Sequence, residues 1–231
     1  LDYRYRNYDN ADRRDDSDLR WNANYSHGFG DNNLAVGVRG RASYRGNGQT
    51  RNDYGVYSTF RFLGGPDDQF NIGAEFRRNH PQGPLRARSC NILEFTAGWT
   101  HTLFDGKGSF SLAAGGGREF ATDNRPDGDS NFFNLSPTFD FTLSDAWGGY
   151  VFAWWQSDRY NAERTNSEGA DDVLGITTRN DDLWEVGGGL TWSFGSGWSL
   201  NPEILYVEDK SNILAVNYSS TELHLTLRKD F

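Results

Sequence analysis

The stretch Glu222-Leu-His-Leu-Thr-Leu-Arg-Lys-Asp-Phe231 decides the fold. Leu223, Leu225, Leu227 and Phe231 fall on one face of an extended chain, and Glu222, His224, Thr226, Arg228 and Asp230 on the other, because successive side chains of a strand point to opposite sides. A soluble sheet also has two unlike faces, so this segment alone distinguishes little. The decisive observation is that nearly every other strand-like segment repeats the scheme, with aromatic residues at its ends. Such strands closed into one sheet put lipid outside and a polar lumen inside.

Outward from that segment the period stays near two, not 3.6. The alternation predicts twelve strands, roughly 1–8, 18–29, 33–44, 53–63, 69–79, 92–104, 109–120, 131–143, 147–158, 182–194, 198–208 and 219–231. Short connections (30–32, 64–68, 105–108, 144–146 and 195–197) alternate with long ones (9–17, 45–52, 80–91, 121–130, 159–181 and 209–218). Outer-membrane barrels turn tightly on the periplasmic side and carry long loops outside. The fold class expected is therefore all-β: one transmembrane, antiparallel, up-and-down β-barrel over 1–231, about twelve strands, both termini periplasmic, in the outer membrane of a Gram-negative bacterium.

Aromatic positions test that register independently. Phe29, Phe62, Phe70, Phe104, Phe110, Trp147, Phe194, Trp198 and Phe231 flank the short turns or the C-terminus, whereas Tyr8, Tyr44, Tyr54, Trp184 and Tyr206 lie near the long loops. Aromatic rings favour the membrane–water interface. Trp198 and Tyr206 are eight residues apart on one face, roughly 26 Å of strand before tilt.

The 231 residues are 36% hydrophobic, 24% charged and 15% aromatic, with 8 Trp, 27 Gly and only 6 Pro. No run approaches the ~18 apolar residues of a membrane helix, but a barrel escapes that test because only alternate residues face lipid. A net charge of -9 argues against a nucleic-acid partner. One cysteine, Cys90, excludes an internal disulfide framework and reads as a bystander loop thiol. The chain starts inside a strand pattern at Leu1 and contains no Met, so a processed or trimmed N-terminus is expected.

With the apolar set outward, Arg4, Arg6, Arg20, Arg39, Arg41, Arg61 and Arg77 of strands one to five face the lumen, as do Glu94, Glu119, Asp140, Glu185, Glu203 and Glu222 of later strands. Arg228 is the basic exception on the acidic side. An arginine wall facing acids is either a network of structural ion pairs or a pore with a transverse field that favours anions along one side. Gly115, Gly117, Gly187 and Gly189 also point inward, with Tyr150, Phe152 and Trp154 available to pack over the bare backbone or to stack on sugar rings.

The closing Leu-Thr-Leu-Arg-Lys-Asp-Phe of 225–231 resembles the C-terminal signal read by the barrel-assembly machinery of outer membranes, which implies that machinery as a partner and Phe231 as the assembly residue. The stretch 182–231, with Trp-Ser-Leu-Asn-Pro-Glu-Ile-Leu-Tyr and then Ser211-Asn212, looks like the barrel ends of larger exporters with periplasmic helical repeats, although no such repeat is present. The arginine-lined face and the opening Leu-Asp-Tyr-Arg-Tyr-Arg are similar to the twelve-stranded porins specific for acidic oligosaccharides such as oligogalacturonate and sialic acid. That resemblance implies a basic track along the pore. The acidic second wall departs from it and puts a purely anionic substrate in doubt.

No enzyme signature appears. His27 and His101 fall on the lipid side near the periplasmic rim, His224 faces the lumen two residues from Glu222, and His80 lies beside Pro81 in the third long loop. The loop 159–181 is acidic at Glu163, Glu168, Asp171 and Asp172 but has no calcium-loop spacing. It is either a solvated loop or a constriction folded into the lumen. No cofactor and no metal are expected. The expected function is a porin: passive diffusion of small polar or charged solutes, including oligosaccharides, biased by the arginines. Lipid and lipopolysaccharide would surround it. The alternatives are a translocon barrel of a polysaccharide or protein export system, a closed structural or receptor barrel, and a lipid-modifying enzyme.

Overall fold

Alternation of apolar and polar residues produces strands almost from end to end. The computed structural model describes residues 2–6, 16–45, 48–82, 88–123, 125–165, 176–213 and 217–230. The strands are β1 (Asp2–Arg6), β2 (Asp16–Phe29), β3 (Asn32–Arg45), β4 (Gly48–Leu63), β5 (Asp68–Asn79), β6 (Cys90–Leu103), β7 (Gly108–Ala121), β8 (Ser130–Ser144), β9 (Trp147–Thr165), β10 (Ile176–Phe194), β11 (Trp198–Ser211) and β12 (Tyr218–Lys229). A 3₁₀ turn, Phe104–Gly106, links β6 to β7. All twelve form one sheet in sequence order, each antiparallel to the next. Among the described residues no register joins β12 to β1.

The twelve predicted strands are present, but several boundaries differ. β4 begins at Gly48, within the predicted loop 45–52, and its ladder with β3 passes a bulge between Ser43 and Tyr44. β9 and β10 continue through much of the predicted loop 159–181, pairing Asn180 with Arg159 and Ile176 with Thr165. In both places the ladder has left the apolar belt, so neither face needs apolar side chains and the sequence loses its two-residue hydropathy rhythm. A strand of 19 residues is roughly 60 Å long, about twice a hydrocarbon core. The acids Glu168, Asp171 and Asp172 lie outside the described residues, as do Leu1, Tyr8 and Phe231.

The molecule is inside-out. Among the described residues its buried apolar ones are Cys90, Ile92 and Val207, while Tyr25, Phe95, Leu223 and Leu225 are 66%, 58%, 77% and 71% exposed. Its accessible surface is 15204 Å². A soluble globule of 26.1 kDa would expose about 10,600 Å². A sheet with no second layer and this much outward apolar surface is stable only when lipid covers that surface.

Rings mark both ends of the apolar belt. Toward the short turns, Phe62 stacks on Phe70, Trp99 meets Phe110 edge-on, and Trp147 stacks on Trp192 at 5.5 Å, which itself touches Phe194. Toward the long connections, Trp155 bridges Phe133 and Trp184. Trp147 and Trp155, Trp184 and Trp192, and Trp198 and Tyr206 are each eight residues apart, so three neighbouring strands carry the same belt height. Above the upper rings the outward face becomes charged: Arg118 and Arg159 flank Asn131 across the ladder, and Arg159 pairs with Asp182 at 3.1 Å. Hydrocarbon cannot extend to that level.

Among the described residues, β1 and β12 each pair with one neighbour only. β1 pairs only with Asp16–Arg20 of β2, so below Arg20 the described neighbour of β2 is β3 alone. The described part of β1 thus lies near the long-connection end, whereas Lys229 of β12 lies at the short-turn end, over the Trp198 ring.

Candidate functional site

Antiparallel partners share a face, so following the registers across the sheet places every polar position. One rung runs Arg20–Arg41–Asp53. The next runs Asn22–Arg39–Gly55–Arg77–Ile92–Glu119. Below it come Tyr57, Glu75, Glu94 and Gly117, and nearer the short turns Asn33, Arg61, Asn71 and Gly98. Further round, Asp140, Tyr150, Gly189, Glu203 and His224 share a rung. Glu185 faces Trp154 and Val207, and Glu222 faces Leu205. Arg20, Arg39, Arg41, Arg61, Arg77, Glu94, Asp140, Glu185, Glu203 and Glu222 therefore all occupy the face opposite the apolar belt. Arg4 and Arg6 stand opposite Asp18 and Asp16 in the β1–β2 ladder, and their side chains lie outside the described residues.

The arginine wall is more nearly neutral than the sequence suggests. Three carboxylates missed by the face-by-face reading stand among the arginines. Asp18 accepts from Arg41 Nε at 2.7 Å, from Arg20 Nε at 2.9 Å and from the Ser43 hydroxyl at 2.8 Å. Glu75 takes a forked pair from Arg39, with Nε donating to Oε1 at 2.6 Å. Asp53 accepts from Arg51. Arg77 sits at the edge of this zipper, 4.0 Å from Glu75 and 3.9 Å from Glu94. Arg39 also lies over the Tyr57 ring, whose hydroxyl donates to Asn22 at 3.1 Å and accepts from Asn24 at 3.2 Å. The signal was available: Glu75 is two residues from Arg77, and Asp53 has the parity of Arg61.

The glycines behave as their positions predict. A Cβ at Gly187 would come within 2.8 Å of the Phe152 ring, and one at Gly189 within 2.8 Å of Tyr150. The aromatic face of β9 lies directly on the bare backbone of β10.

The densest part of this face is a strap at the long-connection end, which the sequence reading did not find. Residues 122–123 and 125–129 follow β7 and lie against the polar face. Their backbone docks on β9, with Asn161 N–H donating to Asp129 O at 3.0 Å and Ala162 N–H to Asp127 O at 3.2 Å. Arg125, with a side chain 9% exposed, pairs with Glu119 at 2.5 Å. Arg179 bridges Asp127 at 3.3 Å and Asp181 at 2.6 Å. Both guanidiniums lie 5.0 Å from the Tyr160 ring centroid, which places the ring among two cations and several acids. Of the loop 159–181, whose alternatives are a solvated loop and an inward constriction, residues 166–175 lie outside the described residues; the segment lying against the polar face is the one carrying Arg125, Asp127 and Asp129. This cluster lies beyond the Trp155–Trp184 rings, outside the membrane-spanning part of the strands. There, burial pushes the Asp158 carboxyl up to about 6, against a lowering hydrogen bond from Gln156. Burial and the nearby Asp181 raise Asp209 as well, and its Oδ1 is buried without a hydrogen-bond partner.

The histidines are placed as predicted on the two faces. His27 lies between Tyr25 and Phe29, His101 pairs with Asp68 at 2.9 Å beside Trp99, and His224 meets Glu222 at 3.1 Å. His80 Nδ1 is 3.1 Å from Ser89 Oγ and 3.7 Å from Asp123. A nucleophilic relay needs the hydroxyl and the acid on opposite ring nitrogens; here both approach the same one, and Ser89 is fully buried. Cys90 is the first residue of β6 and is buried, not a loop thiol.

An outward apolar belt bounded by aromatic rings, with a polar face behind it, defines an outer-membrane β-barrel protein of the Gram-negative type. Solved structures agree on that class. The chain is similar to the copper transporter OprC, with a TM-score of 0.59 and 11% identity over 94% of this chain and 43% of that one. It is similar to the outer membrane transporter YddB from Escherichia coli, with a TM-score of 0.50 and 11% identity over 90% and 36%. It also matches a mutant ferric enterobactin receptor from Pseudomonas aeruginosa, with a TM-score of 0.53 and 8% identity over 96% and 41%. The chain spans less than half the length of these proteins. At such identities the likeness is one of fold, and it supports the barrel class without the acidic-oligosaccharide porin family. No family model and no curated protein matches the sequence.

Proposed function

We propose that this chain is an outer-membrane channel of the porin kind, through which small polar or charged solutes, including oligosaccharides, diffuse passively along the arginine and acid face. The carrying observation is the unbroken ladder of polar rungs behind the apolar belt, from Arg20–Arg41–Asp53 at one end to Asn33–Arg61–Asn71 near the other. A face of exposed ion pairs exchanges its partners with water and solute readily, because such pairs contribute little binding energy of their own. The basic pairs on β2–β5 and the acids on β6–β12 set up a transverse field that orients a dipolar solute. In this reading the strap carrying Arg125, Asp127 and Asp129 narrows the mouth on the acidic side. No catalytic step and no cofactor enter this reading. Its partners are lipid, lipopolysaccharide phosphates beside the outward Arg118 and Arg159, and the assembly machinery that would read Phe231.

Reconstitution in a planar bilayer tests the proposal. A discrete ionic conductance is expected, with an anion preference reduced when Arg39, Arg41 and Arg61 are neutralised together. A chain that inserts and never conducts would remove the channel reading. The fold neighbours favour one other reading, the barrel part of a larger substrate-specific transporter or receptor. A specific solute that binds without any conductance would support it.

A further inference from the structure

We propose that the recess floored by Gly55 is a binding site for an oxyanion, a carboxylate or phosphate group carried by a small polar solute. The inference deepens the channel reading and rests on it only for how the solute arrives. The rung Arg39–Gly55–Arg77 sets bare backbone between two guanidinium-bearing residues. A Cβ at Gly55 would lie 2.7 Å from the Arg77 Cβ and 2.8 Å from the Phe76 carbonyl oxygen, so the recess exists because this residue is glycine. Arg20, Arg41 and Arg51 extend it toward the long connections and Glu75 closes its other end, around a cavity of about 480 Å³.

Charge and donor geometry both point to an anion. The lining holds five arginines, Arg20, Arg39, Arg41, Arg51 and Arg77, against Asp53 and Glu75. Asp18 and Glu94 at its margins still leave one positive charge. The Arg20, Arg39 and Arg77 side chains remain 47%, 46% and 39% exposed. Arg77 forms ion pairs with Glu75 and Glu94 at 4.0 and 3.9 Å, beyond hydrogen-bond range, so its planar fork is held near the recess with donors left for a closer acceptor. A zipper built solely for stability would close that fork on a carboxylate. Here an incoming oxyanion completes it, and competes with Glu75 for Arg39.

Calorimetric titration of the purified barrel with inorganic phosphate, glucuronate and glucose tests the site. At least one of the two anions should bind and glucose should not; the stronger anion identifies the group as phosphate or carboxylate. Arg77→Gln should weaken that binding by about tenfold or more, the usual worth of one charge-assisted contact. Glu75→Gln should tighten it several-fold by freeing Arg39. A structural role alone predicts no tightening. Absence of anion binding, glucose binding as well as the anions, or affinities unchanged in both variants would overturn the proposal. A barrel that binds anion but never conducts would overturn the channel reading and leave this site standing. A conducting barrel that binds neither anion would do the reverse.

Discussion

Replacing Leu225 by Arg should destabilise the protein in lipid by about 2–4 kcal/mol, whereas Thr226→Arg should cost about 1 kcal/mol or less. Leu225 pairs with Pro202, midway between Trp198 and Tyr206, and so sits at the centre of the belt. Thr226, one residue on, pairs with Asn201 on the polar face. The two residues share a strand, an edge and a local backbone, so strand propensity and edge effects cancel in the comparison. Accessibility cannot separate them, because both sides of β12 are exposed. If both faces met water, Leu225→Arg would remove a 71% exposed leucine and be neutral or favourable. If lipid covers one, the guanidinium must be dragged toward the interface and the leucine's own transfer energy is lost. Reversible urea unfolding from phospholipid vesicles measures the difference, a shift of roughly 30- to 1,000-fold in the folding equilibrium. Equal effects of the two substitutions would refute the assignment of faces on which the fold rests.

Two other perturbations address the strap. The Asp158 carboxyl is pushed up to about 6 from an ordinary 3.8, so the folded state holds its proton more tightly than the unfolded state. Stability is then unaffected below about pH 4 and falls as pH rises toward 6, by up to about 3 kcal/mol above it. Asp158→Asn should stabilise the protein at pH 7.5 and do nothing at pH 3.5 in the same unfolding assay, and a gain at the lower pH would contradict this. Arg125→Gln leaves Glu119 with the Ser130 hydroxyl at 3.2 Å and bares one face of Tyr160. With Glu119 21% exposed, the loss is about 2–3 kcal/mol rather than the larger cost of a fully dry pair. Amide exchange at 125–129 should accelerate by roughly 30- to 100-fold while β11 is unchanged.

The sequence made the architecture legible wherever a strand crosses the belt, because there each residue faces either lipid or polar surroundings and Leu223–Leu225–Leu227 can mean little else. It became illegible at 159–165 and 176–181, where both faces of the ladder are polar, with Arg159 and Asn161 on the outward side and Tyr160, Arg179 and Asp181 under the strap on the other. The polar face was legible by parity, so Arg39, Arg61, Glu185 and Glu203 occupy the side assigned to them. What parity could not supply was neighbourhood. Glu75 has the same parity as Arg77, but only the register that brings β3 and β5 to either side of Tyr57 shows that Glu75 grips Arg39. The strap was illegible for a different reason. Arg125 and Asp127 lie in a turn without periodicity, and their partners Arg179 and Tyr160 arrive from strands whose upper ends also lacked it.

Among the described residues, every ladder in this sheet joins strands adjacent along the chain. The sheet is consequently a string of hairpins, in which short turns, such as the one around Gly195 and Gly197 between β10 and β11, alternate with longer connections. Such local contacts give a low contact order for an all-β protein. The same arrangement bears on inheritance. Duplicating or deleting one hairpin changes the width of the sheet by two strands and leaves every other register as it was. A lineage built on this meander can alter its bore in even steps while keeping its belt, its rungs and its edges in place.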